Sequence, residues 1–117
     1  MELLIGVTTC MLLAYCGETP SSQINGLEYI YNSTNGDEWT WSTSSSGIPW
    51  NFTGDPNPCM DDWQGVTCTV NCSLFATCDI LNIALAEHSL EGTLPPEMHL
   101  LSSLEMMNFY RNKLIGI

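Results

Sequence analysis

Basic residues are almost absent. The chain carries two, Arg111 and Lys113, against 13 Asp and Glu, for a formal net charge of -11 at pH 7. That balance excludes the positive footprint needed to hold nucleic acid or an anionic membrane surface. Charged residues of either sign make up only 13% of the chain, so the polar surface falls to Ser, Thr and Asn, which suits a secreted, glycosylated protein. Also missing are a tight Cys-x2-Cys pair, a phosphate-binding glycine loop, a zinc-binding helix motif and a nucleophile elbow. Their absence removes the usual sequence signs of catalysis, and no cofactor is implied. The apolar run from Leu3 to Cys16 falls short of the roughly 20 residues a membrane-crossing helix takes. It reads as the apolar region of a signal peptide, with Ala14 and Gly17 near its end, although Glu2 stands where a base is usual. An uncleaved anchor, or an internal helix exposed by a misassigned start codon, are the alternatives. At 117 residues the chain holds one domain at most, with a small core.

What is present is a repeat. Moving the segment from Ile80 onward by 24 residues sets Ile80 on Leu104, Ile83 on Met107, Leu85 on Phe109, Leu90 on Leu114 and Gly92 on Gly116. Alternation sends Ile83 and Leu85, and then Met107 and Phe109, to one face of a short strand. Asn82, Ala84, Met106, Asn108 and Tyr110 take the other face. At the turn after the strand, the Asn112 amide can satisfy backbone groups that a bend leaves unpaired. His88 holds that place in the first copy, where an imidazole can only partly do the same. The pattern apolar-x-x-apolar-x-apolar-x-x-(His88 or Asn112)-x-Leu-x-Gly, followed by Thr93-Leu94-Pro95-Pro96-Glu97-Met98, resembles a plant-type leucine-rich repeat, a family whose units run about 20 to 29 residues. A lone repeat cannot bury its own apolar face, and about three are needed for a stable stack. The rhythm stops in mid-repeat at Ile117, so a fragment or a truncated gene model is expected.

Upstream, Ser21 or Ser22 can cap a helix over about Ser22 to Ser33, with Ile24, Leu27, Ile30 and Tyr31 on one face and Asn35-Gly36 as its stop. A Ser/Thr/Gly-rich loop bracketed by tryptophans follows, and Gly54-Asp55-Pro56-Asn57-Pro58 reads as a turn. Asn57-Pro58-Cys59 and then Trp63-Gln64-Gly65-Val66-Thr67-Cys68 resemble the signature of the amino-terminal cap in plant-type leucine-rich-repeat proteins. The physical need is plain, since the first unit of a stack has an apolar end face that something must cover. Trp63, Val66 and Trp39 or Trp41 can supply that cover, and Gly65 lets the backbone pass close beneath. A sugar-binding aromatic platform is the competing reading of the same rings.

Cys59, Cys68, Cys72 and Cys78 follow the hydrophobic segment, and four cysteines allow three pairings. The resemblance implies Cys59 with Cys68 and, alongside it, Cys72 with Cys78. A zinc site using Cys68-x3-Cys72 is the weaker alternative. Asn32-Ser33-Thr34, Asn51-Phe52-Thr53 and Asn71-Cys72-Ser73 are N-glycosylation sequons. Asp61 and Asp62 read as a solvated turn and not as an acid/base pair, and His88 and His99 lack any motif-placed partner for chemistry.

The resemblance therefore implies an α/β fold that begins a leucine-rich-repeat solenoid. Residues 1–20 form a signal peptide or hydrophobic segment, 21–79 the cap, 80–103 a first repeat and 104–117 part of a second. It implies a non-enzymatic module that recognises a protein, peptide or cell-wall glycan, with a membrane tether conceivable in the full-length protein. The face that would read a ligand is Asn82, Ala84, Ala86, Glu87, Met106, Asn108, Tyr110 and Arg111. The amino end of a membrane receptor-like kinase, and a small structural glycoprotein, are the alternatives.

Overall fold

The computed structural model describes residues 17–43, 47–72 and 77–115. The hydrophobic amino-terminal segment through Cys16 lies outside them, as do Ser73 of the third sequon and Gly116, the residue set on Gly92 by the 24-residue shift. The fold is mixed α/β, and among the described residues two disulfides staple the amino-terminal region. Among the described residues no helix is long and apolar enough to cross a membrane.

The helix α1 spans Ser21–Ser33, and its 3.6-residue period buries Leu27 and Ile30 fully, with Ile24 and Tyr31 half-buried. Neither serine caps it. Pro20 holds the N-cap position, no side chain caps the helix, and the Pro20 carbonyl accepts from the amides of Gln23 and Ile24. The pyrrolidine ring presets φ at the start of the first turn, so both serines fall inside the helix. At the other end Asn35 takes a left-handed φ of 62° before a short 3-10 turn, Gly36–Glu38, a conformation Asn tolerates better than most residues. The chain thus ends its helix where Asn35-Gly36 predicts.

Among the described residues five strands follow: β1 (Val66–Cys68), β2 (Ile80–Ala84), β3 (Glu91–Gly92), β4 (Met106–Asn108) and β5 (Lys113–Leu114). β1 runs antiparallel to β2, β2 parallel to β4, and β3 parallel to β5 in a second, two-stranded sheet. In the first parallel pair Asn82 stands beside Met106, Ile83 beside Met107 and Ala84 beside Asn108, the 24-residue offset read from the sequence. In the second, Glu91 meets Lys113 and Gly92 meets Leu114, two residues short of that offset. The Asn112 side chain accepts the Leu90 amide at 3.0 Å, and the Leu90 carbonyl takes the Lys113 amide at 2.8 Å. The second ladder is thus two residues out of that offset, an even slip that leaves side-chain parity unchanged.

Parallel neighbours need a crossover. Here it carries the 3-10 turn Pro96–Leu100, which brings Leu100 and Leu101 against α1. A Cβ added at Gly26 would stand 3.1 Å from the Leu101 side chain, tighter than an ordinary contact, so the two segments lie close together here. Leu27, Ile30, Trp39, Trp50, Trp63, Ile80, Ile83, Leu85, Leu90 and Leu101 form one buried cluster. Of the four residues expected to share the interior, Ile83 and Leu85 do so and Phe109 packs partly against it. Met107 departs: it keeps Ile83's register but is 45% exposed, on an edge strand of the described three-stranded sheet.

Candidate recognition surface and its junction with the disulfide-bonded region

The eight residues expected to read a ligand come together as two rows on β2, β4 and the turns after them. Asn82 and Ala84 stand beside Met106 and Asn108. One turn on, the Glu87 amide donates to the Tyr110 carbonyl. Ala84, Glu87, Met106, Asn108, Tyr110 and Arg111 are exposed, and Asn82 and Ala86 half-buried. Arg111 Nη1 lies 3.3 Å from Glu87 Oε2, and its guanidinium sits 5.2 Å from the centre of the Tyr110 ring. Hydrogen bonds to Tyr110 and Glu87, with the Glu87 charge, hold the Arg111 proton more firmly than usual. Both ends of this ion pair are solvent-exposed, so it orients side chains more than it stabilises the fold. It places an aromatic ring, a cation and an anion within a few ångströms, a combination suited to peptide or sugar contacts.

Asn112 organises the turn beneath that surface. Its Oδ1 accepts the amides of His88 and Leu90, while its Nδ2 donates to the carbonyls of Leu85 at 2.7 Å and Phe109 at 2.9 Å. One side chain thereby satisfies backbone groups of two successive turns. Asn112→Ala leaves those amides without that partner, and the expected loss is about 1–3 kcal/mol. Native-state hydrogen exchange checks it, with the Leu90 amide exchanging faster than in the wild type.

His88 does only part of what Asn112 does for its turn and has a second partner besides. The residue is only 6% exposed, and its ring does not repeat the inward amide bonds. Its Nδ1 pairs with the Ala86 carbonyl of its own turn and its Nε2 with Gln64 Oε1, each at 2.7 Å. Gln64 in turn grips the backbone of Ser42 at both ends, accepting from its amide at 2.8 Å and donating to its carbonyl at 2.9 Å. The Thr40 amide donates to the His88 carbonyl at 2.8 Å, and Trp41 meets the imidazole edge-on at 5.8 Å. His88 is thus the bolt between the amino-terminal region and the strands. Gln64→Ala removes the group that links both sides, and a loss of about 1–3 kcal/mol is expected in denaturant unfolding.

The aromatic residues pack inward. Trp39 and Trp50 are each 5% exposed and Trp63 2%. Trp63 stacks on Trp50 at 5.7 Å and meets Phe52 edge-on at 4.9 Å. The indole N–H groups of Trp39 and Trp50 donate to the carbonyls of Thr34 and Gln64. Rings this buried, with their donors spent internally, do not form an open sugar platform; Trp41 and Val66 are half-buried at the margin. Burial and the neighbouring Asp37 both hold the Tyr31 phenol in its neutral form beyond its ordinary range.

Cys59 is bonded to Cys68, with Cα atoms 5.7 Å apart, and Cys72 to Cys78, at 5.4 Å. Both sulfurs of the Cys68-x3-Cys72 pair are therefore engaged, and zinc has no thiolates to use there. Asp61 accepts the Asn57 amide, Asp62 takes a left-handed φ of 57°, and the His99 ring bonds the Pro96 carbonyl in its own turn.

Several structural residues escaped the sequence reading. Gln23 is 3% exposed; its Nε2 donates to Asp79 and its Oε1 accepts the Ile80 amide at 2.7 Å, fastening α1 to the start of β2. Asn57 Oδ1 accepts both the amide and the hydroxyl of Thr19, and Glu18 bridges to Thr77, so residues 18 and 19 are sewn into the disulfide-bonded region. Nothing local in the sequence marks Gln23. Gln64 at least sits inside the tryptophan-glycine motif.

No family model matches the chain. Over 60 residues, 51% of its length, the chain is 37% identical to the LRR receptor-like serine/threonine-protein kinase FEI 2 of Arabidopsis thaliana. The match spans 9% of that much longer protein. With the two disulfides, which persist in oxidising compartments, this similarity points to an extracellular or membrane-surface location. Over about half its length, the chain is similar to an LRR receptor-like kinase.

Proposed function

We propose that this chain is the amino-terminal part of an extracellular leucine-rich-repeat module that recognises a protein, peptide or cell-wall glycan. Residues 21–79 cap the apolar end of the stack, residues 80–103 form its first repeat and 104–117 open the second. The observation that carries the reading is the parallel pairing of β2 with β4 at an offset of 24 residues, with Trp39, Trp50 and Trp63 buried in the same cluster as Ile83 and Leu85. Recognition falls to the strand face around Tyr110 and Arg111, and none of these residues is assigned a catalytic role. The similarity to a receptor-like kinase favours one specific version, in which the module begins the ectodomain of a membrane receptor whose kinase lies outside these residues.

Two measurements test this. Arrays of peptides and cell-wall oligosaccharides, probed with the wild type and with Tyr110→Ala and Arg111→Ala, should give binding that either substitution weakens about tenfold or more while unfolding midpoints stay unchanged. Binding that ignores both substitutions would move the recognition surface elsewhere. Transcript sequence past Ile117 separates the two versions: a membrane span and a kinase glycine-rich loop mark the receptor, a polar closing repeat and a stop codon the secreted binder.

A further inference from the structure

The three sequons look alike in the sequence, and the fold makes them unequal. The structure assigns Asn51 as the N-glycan acceptor that the folded protein presents, with Asn32 and Asn71 open to an oligosaccharyltransferase only before folding is complete. The assignment rests on the extracellular reading above for its biological setting, although the geometry does not depend on it.

A transferase must take up the asparagine amide and the hydroxyl two residues on, and it must draw the backbone between them into its own cleft. At Asn51 all of this is available. Asn51 and Thr53 are exposed. Their side chains contact each other, the Thr53 hydroxyl and amide both donating to Asn51 Oδ1 at 2.6 and 3.0 Å. From Asn51 to Asp55 the backbone makes no backbone–backbone hydrogen bond with any other described residue, so the segment can be reshaped without breaking a ladder or a helix. Beside it, a Cβ built on Gly54 meets no atom within 4 Å, so nothing among the described residues packs against that side of the turn.

Asn32 offers only its own side chain. It is exposed, but it lies in the last turn of α1, and the third sequon residue, Thr34, is fully buried. The Thr34 hydroxyl donates to the Ile30 carbonyl at 2.6 Å, and the Thr34 carbonyl accepts from both the Trp39 indole and the Glu91 amide. To expose that hydroxyl, the helix end must unwind and release the contact that joins it to β3. At Asn71 the restraint is covalent, because its neighbour Cys72 is bonded to Cys78 and the flanking Thr69 pairs with Asp79. Opening a packed helix end or a closed loop lowers the reactive population in proportion to its free-energy cost.

In the transfer itself the Asn51 amide nitrogen attacks the anomeric carbon of a lipid-pyrophosphate-linked oligosaccharide. A C–N bond forms, the C–O bond to pyrophosphate breaks, the lipid pyrophosphate leaves and the nitrogen gives up one proton.

The test uses the full chain made without glycosylation and oxidised, so the compartment in which the natural protein matures does not enter. The folded protein and a reduced, denatured sample are each exposed to a purified oligosaccharyltransferase with its lipid-linked donor, and occupancy is mapped by mass spectrometry. The folded protein should be modified at Asn51 about tenfold or more above the other two sites, and the unfolded chain at all three. Thr53→Ala should abolish the Asn51 product in both samples. Comparable occupancy at Asn32 and Asn51 in the folded protein, or an unmodified Asn51 there, would overturn the assignment. A folded protein with this pattern whose strand face binds nothing would leave the assignment standing and sink only the recognition role.

Discussion

Trp63→Ala is expected to destabilise the protein by about 3–5 kcal/mol, the range found when a large buried aromatic is cut back to a methyl group. Trp63 touches Trp50 and Phe52 and is 2% exposed, and the aromatic cluster it belongs to continues through Trp50 into Tyr31, Trp39 and Trp41. A cavity left there, between Trp50 and Phe52, cannot be closed by one neighbour moving in. Far-UV circular dichroism during denaturant unfolding is the suitable probe, because fluorescence loses one of its reporters in the variant. Trp41→Ala serves as the comparison. That ring is half-buried, so its removal should cost less than half as much. Equal losses at the two positions would mean that the rings act as interchangeable surface cover and that the end of the core is not sealed by Trp63.

Gly65→Ala should cost about 3–4 kcal/mol through two separable effects. Gly65 has a φ of +83°, and a Cβ there would stand 2.5 Å from the Ala84 carbonyl oxygen and 2.9 Å from the Leu85 side chain. The Gly65 carbonyl also accepts the Ala84 amide at 2.7 Å. The backbone must therefore pass almost against β2, which is where the disulfide-bonded region meets the strands. Gly54→Ala isolates the conformational part, since Gly54 has a φ of +71° but open space around it; about 1 kcal/mol is expected there. The difference between the two midpoints measures the close approach itself. If Gly65→Ala is no worse than Gly54→Ala, the tight passage beneath Trp63 does not hold the two regions together.

These residues show how much of the molecule was legible beforehand. The short strand and its partner could be read from Ile83, Leu85 and the 24-residue echo, because side-chain alternation and a fixed repeat length are local properties of a chain. The same holds for the helix face at Leu27 and Ile30 and for the stop at Asn35-Gly36. The disulfide pairing entered through resemblance, not through spacing. What escaped is non-local: Gln23 reaches 57 residues ahead to Ile80, and Gln64 finds His88 and Ser42, 24 and 22 residues away. A polar side chain in a sequence does not announce which distant backbone group it will satisfy.

The 24-residue rhythm, the acidic charge, the glycine at position 65 and the residue types on each strand face were determined by the sequence alone, since each follows from periodicity, composition or backbone sterics. Tertiary structure decided three further matters. It turned His88 from an imperfect substitute into a bolt, closed the tryptophans away from solvent, and buried the hydroxyl of one sequon while leaving another in the open. In each case the outcome depends on which groups lie close in space after packing, and hydrogen-bond satisfaction and burial are decided only there.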